Sequence, residues 1–125
     1  MAENKFVLVV EDDPFYSSIY KAKLKKEGID AEVVINGDAA IAIAKQRKPA
    51  LILMDLIMPG KDGFATLKEL KADQTLADIK VIVLSNLSQE EDIRRVKELG
   101  ASEYLVKANI SIREIIGKIK SNLAV

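Results

Sequence analysis

The sequence predicts an α/β domain built on a five-stranded parallel sheet with helices on both faces. Three observations carry this: five short runs rich in Val, Ile and Leu, helical signals between successive runs, and runs that are apolar almost throughout. A strand covered on both faces has no position facing water, so it reads as a continuous apolar stretch, not an alternating one.

The first run is FVLVV at 6–10. Asp13 follows as a candidate N-cap, Pro14 stands at the first helical position, where its missing N–H costs nothing, and Gly28 lies just past the helix end. The second run, AEVVI at 31–35, ends in Asn36-Gly37, which reads as an ordinary turn pair. The third, ALILM at 50–54, leads into Asp55. VIVLS at 81–85 is the fourth, and Ser88 with Glu91 has the capping-box spacing for a helix that Gly100 would stop. After the fifth run, EYLV at 103–106, Ser111 and Glu114 repeat that box. Ile112, Ile115, Ile116, Ile119 and Leu123 then form one helical stripe.

At 125 residues, with 49% apolar and 30% charged residues, the chain fits one soluble domain spanning 1–125. Linkers, repeats and low-complexity tracts are absent from the sequence. The expectation is a stand-alone unit without an output domain, acting by contact. Its 19 basic residues balance its 19 acidic ones, which argues against direct nucleic-acid binding. There is no apolar signal core and no run of the roughly 18 apolar residues a membrane span needs, so no membrane partner and a cytoplasmic location are expected. The absence of Cys and His removes thiolate catalysis, Ser-His-Asp triads, Cys/His zinc sites and disulfides. Carboxylate, hydroxyl and amine chemistry remains.

In an open parallel sheet, ligands bind outside the carboxyl ends of the strands, where the strand order reverses. If the strands take the flavodoxin-like (βα)5 order 2-1-3-4-5, that point falls between the first and third strands, which end in Glu11-Asp12-Asp13 and Asp55. The fourth ends in Ser85-Asn86 and the fifth in Lys107. Each residue singly has a plain structural reading: Asp13 and Asp55 as caps, Ser85 as a turn residue, Lys107 as a surface cation, Tyr104 as a half-buried strand aromatic. Together they make a site. Carboxylates about 4 Å apart repel by roughly 4 kcal/mol at an effective dielectric of 20, so the cluster calls for a cation. Oxygen-only donors select a hard ion, and Mg²⁺ fits one or two carboxylates plus several waters.

VVEDDP at 9–14, LILMDLIMPGKDG at 51–63, VIVLSN at 81–86 and the YLVK stretch ending at Lys107 resemble the motifs of a response-regulator receiver domain, the phosphoacceptor module of two-component signalling. The resemblance covers essentially the whole chain. It implies that Asp55 accepts a phosphoryl group from a phosphohistidine of a sensor histidine kinase or histidine phosphotransfer protein. Asp12 and Asp55 would bind Mg²⁺ directly with the backbone carbonyl of Ile57, and Glu11 through water. Ser85 and Lys107 would contact the phosphoryl group, and the Tyr104 ring would turn inward as Ser85 moves. The surface made by the fourth helix, fifth strand and fifth helix would then engage an unidentified downstream protein target, with a phosphorylation-dependent homodimer left open. The module is a signalling domain that assists its own phosphorylation and dephosphorylation, not an enzyme.

Two departures from the family pattern stand out. Lys107 precedes Ala108 where a cis proline is usual, and a cis bond without proline costs about 2.5–4 kcal/mol, so the loop is expected to be strained or re-routed. Asn86 replaces a small residue and would crowd or hydrogen-bond the phosphoryl group. Ile57, apolar and two residues past the acceptor, is expected to hinder an attacking water and slow autodephosphorylation. The rival readings are a receiver-like interaction module working without phosphorylation and a Mg²⁺-dependent phosphohydrolase using an aspartyl phosphate. Such hydrolases usually carry a second acid at the position of Ile57 and a substrate cap.

Overall fold

The computed structural model describes residues 6–58 and 60–123. Five strands, β1 (Phe6–Val10), β2 (Asp30–Val34), β3 (Leu51–Met54), β4 (Lys80–Ser85) and β5 (Glu103–Val106), alternate with five helices. These are α1 (Pro14–Lys26), α2 (Gly37–Gln46), α3 (Gly63–Ala72), α4 (Glu90–Glu98) and α5 (Ile112–Leu123). All neighbouring strands run parallel, in the order β2-β1-β3-β4-β5. The predicted architecture is thus the observed one.

Successive strand residues point to opposite faces, and the sheet sorts its apolar residues accordingly. Phe6, Leu8, Val10, Ile52, Met54, Val81 and Val83 pack with Ala40 and Ile41 of α2, Leu67 and Leu70 of α3, and Val96 of α4. Val7, Val9, Leu51, Leu53, Ile82 and Leu84 pack with Tyr20 and Leu24 of α1 and Ile115, Ile116 and Ile119 of α5. Both faces are covered, which is why β1 and β3 are apolar throughout and β4 is polar only at its two ends, Lys80 and Ser85. Among the described residues no helix is long and apolar enough to cross a membrane.

The punctuation is mostly as expected. Asp13 accepts a hydrogen bond from the Phe15 N–H at 2.9 Å. Ser111 and Glu114 form both halves of their capping box at 3.1 Å. Gly28 and Gly100 end their helices at φ of 78° and 108°, a region that side chains disfavour. Two readings need correction. Asn36 is the N-cap of α2, accepting from the Ala39 N–H at 2.8 Å, and Gly37 is the first helical residue, so the pair is a helix start and not merely a turn. The fourth helix does not begin from a Ser88 box: Gln89 is the N-cap and makes no side-chain capping bond. The chain before it is engaged elsewhere, because the Leu87 N–H donates to Ser85 Oγ and the Leu87 carbonyl accepts from the Tyr104 hydroxyl.

Candidate functional site

The site forms at the carboxyl ends of β1 and β3, where the strand order reverses. The Asp55 N–H donates to the Val10 carbonyl at 3.1 Å and the Glu11 N–H to the Val34 carbonyl at 3.0 Å. These ladder bonds carry Glu11 and Asp55 to the same edge of the sheet. Ser85 pairs with Val106 at the last rung of β4 and β5, so Lys107 emerges beside it.

At the centre lies a buried ion cluster. Lys107 Nζ donates to Glu11 Oε1 at 2.7 Å and to Asp55 Oδ2 at 2.8 Å, with the three side chains only 7%, 3% and 10% exposed. The second oxygens are also engaged, Glu11 Oε2 by the Asp13 N–H at 3.2 Å and Asp55 Oδ1 by the Ile57 N–H at 3.2 Å. Burial holds the Glu11 carboxyl above its usual range, only partly opposed by the Lys107 ammonium. For Lys107 burial works to lower the pKa, but the hydrogen bonds and charges of Asp55 and Glu11 outweigh it and the net shift is upward.

Asp12 is exposed at the rim, and among the described residues no three acidic side chains converge to grip an ion. Lys107 stands between the two buried carboxylates instead. The donor set still fits a hard divalent cation: Glu11, Asp12 and Asp55 bring three negative charges against one ammonium, all through oxygen.

Ser85 is fully buried and accepts from the Leu87 N–H at 3.3 Å. Tyr104 is half-buried, packs against the α2–α4 side of the core, and donates its hydroxyl to the Leu87 carbonyl. Its phenol is raised by burial, against the pull of the Ser85 hydroxyl. Asn86 is exposed, and Ile57 is 59% exposed. The Lys107–Ala108 bond is trans, and Lys107–Asn109 form a 3-10 turn. Re-routing, not a cis bond, is how this loop does without proline.

Two supporting residues escaped the sequence reading. Gly63 starts α3 against the segment that follows β3: its N–H donates to the Leu56 carbonyl at 2.9 Å, and a Cβ there would lie 2.5 Å from Leu56 Cα and 2.7 Å from the Asp55 carbonyl oxygen. Lys61, in the same loop, bridges Asp38 of α2 at 3.1 Å and Glu69 of α3. The helix-start pattern at Asp62-Gly63 was available in the sequence, but the close backbone approach was not.

Comparison with known proteins agrees with this arrangement. The response regulator receiver domain profile matches residues 7–120. The chain is 32% identical over 117 residues to the DNA-binding dual master transcriptional regulator RpaA of Synechocystis sp., covering 94% of this chain and 48% of that protein. It therefore spans about half the length of that relative. Among solved structures, the signal receiver domain of a signal transduction histidine kinase from Syntrophus aciditrophicus superimposes with a TM-score of 0.86 at 33% identity, covering 95% of this chain and 89% of that one. The Mn²⁺-bound form of response regulator Rcp1 gives 0.82 at 34% identity, covering 94% and 92%.

Proposed function

This chain belongs to the response regulator receiver domain family, and on that premise we propose that Asp55 accepts a phosphoryl group from a phosphohistidine of a sensor histidine kinase or histidine phosphotransfer protein. The single observation that carries the assignment is the buried Glu11–Lys107–Asp55 cluster at the switch point of the sheet. A carboxylate so placed is expensive to keep charged unless its charge is used.

In the proposed reaction an Asp55 carboxylate oxygen attacks phosphorus, the phosphorus–nitrogen bond of the donor breaks, and the electron pair leaves on the imidazole. Asp12, Asp55 and the Ile57 carbonyl, with Glu11 through water, would hold Mg²⁺, which neutralises the incoming phosphoryl oxygens when bound. Lys107 then turns from the carboxylates to the phosphoryl group. Ser85 Oγ follows, which releases the Leu87 N–H and repositions the β4–α4 loop that Tyr104 also holds. Two charge-assisted contacts at roughly 1.5–3 kcal/mol each approach the 5.5 kcal/mol or so that inverting a 1:99 equilibrium requires. The α4–β5–α5 surface is thereby offered to a protein target.

Beryllofluoride titration with and without Mg²⁺, followed by amide NMR, tests the assignment. Saturable Mg²⁺-dependent shifts at Ser85 and Tyr104, abolished in Asp55→Asn, are expected. A folded protein that does not respond would favour an interaction module that works without phosphorylation.

A further inference from the structure

Lys107 has a third neighbour that the ion pairs do not account for. Its Nζ lies 4.5 Å from the centroid of the Tyr16 ring. An ammonium carries three protons, and Glu11 and Asp55 take two of them. The ring face meets the remaining positive charge, where a side chain only 7% exposed has little water to turn to.

Tyr16 is itself held in place. It is half-buried on α1, against the core between α1, α5 and the sheet. Its ring stacks on Tyr20, one helical turn later, with centroids 6.2 Å apart and an interplanar angle of 24°. Tyr20 is buried, which anchors the stack. Phe15 meets Tyr16 edge-on at 5.4 Å. The ring therefore presents a fixed face to the ammonium.

We propose that Tyr16 is a positioning residue for phosphoryl acceptance, its ring face keeping the Lys107 ammonium at the site while that ammonium exchanges its anionic partners. This rests on the reading of Asp55 as acceptor. Both carboxylates that hold Lys107 are also the groups a divalent cation and a phosphoryl group draw on. During that exchange the ammonium loses oxygen partners in a nearly dry setting. A neutral ring competes for neither metal nor phosphoryl group, and its attraction for the cation persists throughout. An aliphatic side chain would fill the same space without that attraction.

The test uses the whole chain with Mg²⁺ and phosphoramidate as donor. An Asp55 oxygen–phosphorus bond forms as the phosphorus–nitrogen bond breaks, and the nitrogen leaves as ammonia. Wild type is compared with Tyr16→Phe, Tyr16→Leu and a variant carrying tetrafluorophenylalanine at 16, each checked for an intact amide spectrum. Tyr16→Phe should keep the wild-type rate, while the leucine and fluorinated variants lose about five- to thirtyfold, because both lack the negative ring face. The Lys107 ε-protons should show a ring-current shift in wild type and Tyr16→Phe that disappears in Tyr16→Leu. Packing alone would not separate the fluorinated ring from phenylalanine. Equal rates for the fluorinated ring and phenylalanine would overturn the proposal, as would a loss in Tyr16→Phe equal to that in Tyr16→Leu. A wild-type protein that takes up no phosphoryl group would sink the acceptor reading and this role with it, and the ring-dependent lysine shift would then mark a purely structural contact.

Discussion

Among the described residues the same ionic arrangement occurs twice, one ammonium between two carboxylates, in opposite surroundings. Lys107 sits between Glu11 and Asp55 with side chains 7%, 3% and 10% exposed. Lys61 sits between Asp38 and Glu69 with side chains 24%, 78% and 46% exposed. Coulomb attraction in water is small and screened by salt, so the outer cluster only steadies the loop before α3 against α2. In the dry interior each charge has given up its hydration, so the inner cluster holds three groups that depend on one another. Position, not composition, separates the two clusters.

Breaking the inner cluster at its centre should give the largest effect. Without divalent ions, Lys107→Ala should lose about 3–5 kcal/mol in urea unfolding, because two carboxylates are left facing each other. Mg²⁺ should restore part of that loss; a stability unchanged by both the substitution and the ion would erase the contrast between the clusters.

Gly63→Ala comes next and asks what fixes the loop after β3. The added methyl meets Leu56 Cα at 2.5 Å and the Asp55 carbonyl oxygen at 2.7 Å, both backbone atoms that cannot swing aside. About 2–3 kcal/mol should be lost, with altered amide shifts at Asp55 and Leu56.

A smaller effect of opposite sign is expected for Glu11→Gln. Burial raises the Glu11 carboxyl from its unfolded value of 4.5, against the pull of Lys107. A carboxyl raised on folding contributes stability that is complete below the unfolded pKa and is lost as pH rises through the folded one. Glu11→Gln should remove that decline just above pH 4.5, so that without divalent ions the variant stays flat with pH where wild type falls. A wild-type stability that climbs through this window while the variant stays flat would reverse the sign.

Lys61→Ala should change least. Its pKa is raised by hydrogen bonds to Glu69 and Asp38 at an exposed position. Its urea midpoint should stay within the scatter of wild type, and 1 M salt should remove any difference that remains. A loss as large as that of Lys107→Ala would show that exposure is not what separates the two clusters.

The sheet was legible because its signals are local. Strand runs, the Asp13 and Ser111 caps and the Gly28 and Gly100 stops depend on neighbours within a few residues. Asn36 misled because a turn and a helix start use the same side-chain-to-backbone bond, and Ser88 because Leu87 is held from outside its own segment by Tyr104.

By itself, the sequence determined the five strands, the sorting of their odd and even residues to two cores, and the arrival of Glu11, Asp55, Ser85 and Lys107 at one edge of the sheet. A side-chain period of two and short connections leave little freedom there. Only the tertiary structure decided who touches whom. Lys107 follows a strand two places from β3, about 10 Å away at normal strand spacing. Its contacts therefore depend on the turn that replaces a cis proline and on how α1 leans Tyr16 toward it. Pair energies in a low-dielectric interior vary over ångströms, and those distances are set by packing between distant segments, not by spacing along the chain.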